Sequence, residues 1–202
     1  SASVVQEMMK TLSTTLPFTD VKNTDWCFSE VARVYADGIM GGTSNTTFSP
    51  AGTLTRGQVV AMLYRMAGSP AVTANTTGFS DVDNGAYYAD AVKWASGKEI
   101  VGGYADGTFA PNRAITREQL AAILYRYAKA NGADISVGED TNLLSYKDFQ
   151  SVGQYAVPAL QWAVGSGLIG GTTNAMLSPK GTATRAQAAV ILVRFVGMTA
   201  AK

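Results

Sequence analysis

Three arginines stand where helix structure alone does not call for them. Arg56, Arg117 and Arg185 sit in the tetrads Thr55-Arg56-Gly57-Gln58, Thr116-Arg117-Glu118-Gln119 and Thr184-Arg185-Ala186-Gln187. Thr-x-x-Gln ahead of an apolar run reads as a capping box. The Thr hydroxyl accepts from the N3 backbone N–H, and the Gln side chain accepts from the cap N–H. That accounts for Thr and Gln but not for Arg. A cation in a first helical turn faces the positive end of the helix dipole, at a cost of about a few tenths of a kcal/mol. Two readings follow. In one, each Arg turns away to a nearby Asp or a backbone carbonyl and is structural. In the other, helix N-terminal N–H groups and the guanidinium together make a site for a carboxylate or phosphate.

The rest of the composition narrows the chemistry. The 202 residues contain no His, which removes Ser-His-Asp and Cys-His catalysis and His-ligated metal sites. One cysteine, Cys27, can form neither an internal disulfide nor a Cys-based metal cluster. A net charge of +1 lacks the clustered basic face of a nucleic-acid binder. No cofactor is indicated. No run approaches the roughly 18 apolar residues of a membrane span. The carboxylate pairs Asp20/Asp25 and Asp81/Asp83 are the only candidates for glycosidase chemistry, and both lie in turn-rich stretches that read as caps. Asp81-x-Asp83-Asn84-Gly85 lacks the later acidic ligand of a calcium loop. The start Ser1-Ala2-Ser3 looks like that of a trimmed or processed chain, from which a secretion signal has been removed.

The elements that must position the arginines recur with them. A Pro stands six residues before each Arg (Pro50, Pro111, Pro179), and a Gly-Gly pair ends eight residues before each Pro (Gly42, Gly103, Gly171). A second Arg follows nine residues after each first one (Arg65, Arg126, Arg194) and reads as structural. Three copies in one register are an internal repeat. Each opens on an aromatic and an Asp: Phe18-Thr19-Asp20, Phe79-Ser80-Asp81 and Tyr146-Lys147-Asp148. Each then has an aromatic (Trp26, Tyr87, Tyr155), a short apolar helix, the Gly-rich loop, and a second helix from the Arg.

The expected boundaries are an N-terminal helix over 1–16, repeats at 17–68, 78–132 and 145–198, and linkers at 69–77 and 133–144. The second helices are expected over Arg56 to Ala67, Arg117 to Ala130 and Arg185 to Phe195. Units this small cannot bury an apolar face alone, so neighbours must share a core. The fold class is mainly α: three helix-loop-helix repeats.

The ordered set resembles the S-layer homology family from about Pro17 to Met198. It comprises the aromatic-x-Asp opening, the Ala-rich helix, the Gly-Gly loop, Asp106-Gly107-Thr108-Phe109-x-Pro111, and Thr-Arg-x-Gln. The resemblance implies a monomeric pseudo-threefold trimer of repeats around a central helical bundle that anchors a larger passenger to a bacterial cell wall. It implies binding of secondary cell-wall polysaccharide, through a terminal pyruvylated N-acetylmannosamine, in grooves between repeats. The family's glycan-binding Arg carries over to Arg56, Arg117 and Arg185.

A pyruvate ketal presents one carboxylate, which Arg can take bidentately. Gly42, Gly103 and Gly171 would admit the sugar close to the backbone, with simple turn geometry as the competing reading. Trp26, Tyr87 and Tyr155 would face the ring, although core packing is the preferred reading for each. Asp20, Asp81 and Asp148 are expected to cap the first helices or to pair with an Arg, with ligand contact as the lesser reading. The alternative function is a protein-interaction or self-assembly module of the cell surface. The chain departs from the family in four respects: Gln58, Gln119 and Gln187 replace Glu, Gly57 weakens one first turn, Glu99 stands where Gly38 and Gly167 stop the other first helices and points to a strained or different stop, and Asn45-Thr46 and Asn174-Ala175 replace Asp106-Gly107, so the three grooves are not expected to be equivalent.

Overall fold

The computed structural model describes residues 16–200. The helix expected over 1–16 falls outside them but for Leu16. The described chain is mainly helical, with six α-helices: α1 Phe28–Ala36, α2 Arg56–Met66, α3 Ala89–Gly97, α4 Arg117–Ala130, α5 Val157–Gly165 and α6 Arg185–Ala200. Extended pairing among these residues is limited to isolated bridges.

All three second helices begin at the Arg, as the capping boxes require. Thr55, Thr116 and Thr184 accept from the N–H of Gln58, Gln119 and Gln187 at 3.2, 3.3 and 3.1 Å, and each Gln side chain accepts from its Thr N–H. α6 runs five residues beyond the expected stop at Phe195. Gly197 lowers intrinsic helix propensity by about 1 kcal/mol relative to Ala, but propensity yields to context.

The first helices stop by one device. Gly38, Glu99 and Gly167 adopt φ of +68°, +58° and +76°. The following N–H donates five residues back: Ile39 to Val34 O, Ile100 to Ala95 O, Leu168 to Ala163 O. This is the Schellman arrangement. Glu99 therefore bears a left-handed conformation that its two counterparts assign to Gly.

The chain forms two compact units. One combines the segment up to Thr53 with that from Thr184 onward, and the other runs from Leu54 to Ala183. In the first, α1 packs on α6. In the second, α3 packs on α2 and α5 packs on α4. Every helix pair therefore joins two different repeats, because the apolar face of one short repeat finds its cover on another. Within the second unit, Leu54, Ile115 and Ala183 close a buried cycle of backbone bonds. Ile115 N–H donates to Leu54 O, Ala183 N–H to Ile115 O, and Leu54 N–H to Ala183 O, at 2.8, 3.1 and 3.3 Å. These residues immediately precede the caps and so fix where α2, α4 and α6 begin.

Candidate functional site

The opening Asp of each repeat does not cap a helix. Cys27, Tyr88 and Ala156 precede α1, α3 and α5, and none of these N-termini has a side-chain cap bond. Instead each Asp clamps the loop ahead of the repeat's Pro. Asp20 accepts from the N–H of Phe48 and Ser49, Asp81 from Phe109 and Ala110, and Asp148 from Leu177 and Ser178, all at 2.7 or 2.8 Å. The clamped residues Ser49, Ala110 and Ser178 have positive φ. Burial by itself would raise the Asp20 pKa, but the N–H groups of Phe48 and Ser49, with Asp20's own N–H and the Arg185 charge, hold it below its ordinary 3.8. Asp83 and Asp25 are likewise held by turn N–H groups, from Gly85 and Lys22. The carboxylate pairs weighed for glycosidase chemistry are thus committed to the backbone.

The glycines serve these same loops. A Cβ on Gly103 would meet the Phe79 ring and lie 2.7 Å from Thr108 O, and one on Gly42 or Gly171 would meet the Phe18 or Tyr146 ring. The opening aromatic of each repeat packs against its own glycine.

Each motif Arg reaches into a different repeat. Arg56 Nε donates to Phe109 O at 2.9 Å and Nη2 to Gly102 O at 3.2 Å. Arg117 does the same with Leu177 O and Gly170 O at 3.1 and 2.6 Å, and Arg185 with Phe48 O and Gly41 O at 2.7 and 2.6 Å. All three arginines are buried. The carbonyl reading is therefore the observed one.

The helix N-termini are also in use. Arg56 and Gly57 donate their N–H to Arg113 O and Pro111 O, Arg117 and Glu118 to Gly181 O and Pro179 O, and Arg185 and Ala186 to Gly52 O and Pro50 O. The expectation that these N–H groups receive an anion is corrected: Pro-loop carbonyls already satisfy them. Gly57 has its own reason, since a Cβ there would lie 3.1 Å from both Pro111 O and the Tyr88 ring.

Two bonds leave Arg56 with further guanidinium N–H donors. For Arg56 the surroundings form a cavity of about 260 Å³ in the second unit, lined also by Gly102, Gly103, Tyr104, Gln119, Arg126 and Tyr155. Burial lowers the Arg56 pKa, opposed by Tyr104 and Tyr155 and reinforced by Arg113 and Arg126. The Arg56 guanidinium carbon lies 4.6 Å from the Phe109 ring centre and 5.1 Å from that of Tyr104, and Arg113 flanks Tyr104 at 5.3 Å. Burial by itself would raise the Tyr104 pKa, but a hydrogen bond from Arg113 and the Arg56 charge pull it down. Gln119 both caps α4 and donates to the Tyr104 hydroxyl at 3.3 Å. A cluster of positive charge with aromatic walls and room for about one sugar ring suits a small acidic ligand.

The three mid-repeat aromatics are not core residues. Trp26, Tyr87 and Tyr155 are 67%, 66% and 52% exposed. Tyr155 lines the cavity with Arg56, and Gly103 borders it, whereas Asp81 turns to its loop. Arg126, read from the sequence as structural, lines the cavity, and Tyr104 and Arg113 carried no sequence signal of a site. Tyr104 and Arg113 belong to the second repeat alone: Thr43 and Thr172, and Gly52 and Gly181, take their places in the others. That asymmetry is the signal that could have found them. No group of metal-ligating side chains occurs among the described residues.

A model of the S-layer homology domain matches residues 17–60, 78–121 and 145–189, more than half of the chain. The chain belongs to the S-layer homology family, whose domains are non-catalytic surface anchors, and its place is outside the cell, at the wall. It is 37% identical over 180 residues to an endoglucanase of Bacillus sp. (strain KSM-635), a match spanning 89% of this chain and 19% of that protein. It is 25% identical to the cellulosome-anchoring protein of Acetivibrio thermocellus, over 88% of this chain and 40% of that one. It is 28% identical to the surface-layer 125 kDa protein of Lysinibacillus sphaericus, over 79% of this chain and 13% of that one. The chain thus spans well under half the length of each.

Proposed function

We propose that this chain anchors a larger surface protein non-covalently by binding secondary cell-wall polysaccharide, with a terminal pyruvylated sugar as the group recognised. The observation that carries this reading is the Arg56–Arg126 cavity with Tyr104 and Tyr155 in its walls. A ketal carboxylate would take the unused N–H donors of Arg56 together with Arg126, and the sugar ring would lie against the tyrosines. Arg56 is held in place by the Gly102 and Phe109 carbonyls before any ligand arrives, which lowers the ordering cost of binding. The other Thr-Arg-x-Gln motifs offer the same chemistry at Arg117 and Arg185. If they also bind, one chain facing a repetitive wall gains avidity without stronger individual contacts.

The test is co-sedimentation with purified cell walls before and after mild acid removal of pyruvate ketals. The parent is expected to pellet with untreated walls and to stay in solution with treated ones. Arg126→Ala, which leaves the Arg56 backbone bonds intact, is expected to weaken pelleting. Equal binding to treated and untreated walls would refute the proposal. Wall binding that instead required a wall protein would establish the interaction-module alternative.

A further inference from the structure

Glu118 is a buried carboxylate at a position where the other repeats have Gly57 and Ala186. It is 2% exposed. A helix second position needs no such group, and burying a charge is costly unless donors surround it. Here three donors do, all from the third repeat. Gly153 N–H donates to Oε2 at 2.9 Å, the Tyr155 hydroxyl to Oε1 at 3.1 Å, and Lys180 Nζ to Oε1. Gly153 completes the arrangement: a Cβ there would lie 2.7 Å from the Tyr155 ring and 3.2 Å from Glu118 Oε1. The Tyr155 ring is thereby seated against bare backbone with its hydroxyl tied down, at the wall of the cavity that holds Arg56 and Arg126.

The bond to Glu118 has a chemical consequence. A phenol has one proton, and that of Tyr155 goes to the carboxylate. Burial, then the charge and hydrogen bond of Glu118, push the Tyr155 pKa up, so the proton stays on the oxygen across the physiological range. Toward the cavity the oxygen offers lone pairs only.

We propose that Glu118 is a positioning residue that turns Tyr155 into a fixed hydrogen-bond acceptor, so that the cavity selects an acidic sugar bearing a free hydroxyl or acetamido N–H beside its carboxylate. This rests on the anion-cavity reading above and adds to it a second point of recognition. Inorganic sulfate offers the arginines charge but has no proton to donate to Tyr155. The second repeat's cavity is thus a discriminating site rather than a general anion trap.

The test is titration calorimetry of the whole chain with the methyl glycoside of 4,6-pyruvylated N-acetylmannosamine, with inorganic sulfate as the comparison. The binding component followed is the one that Arg126→Ala removes. Tyr155→Phe keeps the ring and is expected to weaken that component about tenfold, the value of one hydrogen bond. Glu118→Ala is expected to weaken it in the parent and to add nothing in the Tyr155→Phe background. Sulfate affinity is expected to be unchanged by Tyr155→Phe. Thermal unfolding confirms that each variant is folded, and Tyr155→Phe serves alone if Glu118→Ala does not fold. If Tyr155→Phe binds the glycoside within about twofold of the parent, the inference is overturned while the anion cavity stands. If the Glu118 and Tyr155 effects simply multiply, Glu118 does not act through Tyr155 and its assigned role is overturned. If Arg126→Ala removes no component, the anion-cavity reading itself fails.

Discussion

Replacing Arg117 by Lys separates the motif arginine's structural role from any binding role. Lys keeps the charge but loses the fork. Arg117 spans two carbonyls of the third repeat, Leu177 O through Nε and Gly170 O through Nη2. A single ammonium on a flexible stem cannot reproduce that geometry. Hydrogen bonds with one charged partner contribute about 1.5–3 kcal/mol each. Lys retains one at best and leaves a carbonyl without its donor, so the expected loss is about 2–4 kcal/mol. For a chain of this size that lowers Tm by about 5–15 °C. The assay is reversible urea unfolding followed by circular dichroism, with an unchanged m-value indicating that the unfolded state is not the cause. A loss under about 0.5 kcal/mol, the range of ordinary surface substitutions, would refute the claim that the fork ties one repeat to the next.

Two further outcomes follow from the same loops. Gly103→Ala places a methyl against the Phe79 ring and Thr108 O, and overpacking of this kind costs about 1–3 kcal/mol; the same urea assay reads it, and a neutral result would mean that the loop yields freely. Asp20 has a folded pKa below its ordinary 3.8, so its clamp contributes stability that is fully present above the unfolded value and is lost as pH falls through the folded one. Asp20→Asn should therefore be less stable than the parent at pH 7, with the gap narrowing toward pH 3; a gap constant across that range would show that the carboxylate charge plays no part.

Much of the fold was legible in the sequence because local chemistry specifies it. The capping boxes placed the starts of α2, α4 and α6 to the residue, since Thr and Gln satisfy donors within one turn. Gly38 and Gly167 marked the left-handed stops, whereas at Glu99 the residue type pointed to a strained or different stop and the structure keeps the same one. The end of α6 was misplaced: the helix continues through Gly197, a weak helix former, to Ala200.

The candidate site was legible only in part. Arg56 and Tyr155 were named from the repeat, but the readings of their neighbours did not survive. The Asp residues bind backbone N–H groups about 28 residues away rather than a helix end, and no periodicity reports a bond of that separation. The exposure of Trp26, Tyr87 and Tyr155 was missed because an aromatic beside an apolar helix has the same pattern whether it packs inward or points out. Arg126 sat in a helical register that reads as structural, and only the approach of the second repeat's Gly-rich loop makes it a cavity wall.

The sequence alone determined the threefold recurrence, the helix starts and most stops, and the absence of histidine and cysteine chemistry. These are properties of composition and of contacts within a few residues. Tertiary structure decided which repeat each Arg serves, that the helix N-terminal donors are spent on Pro-loop carbonyls, and that Glu118 holds the Tyr155 hydroxyl. Those outcomes depend on which backbone groups of one repeat come to rest against the side chains of another, and no local pattern encodes that distance.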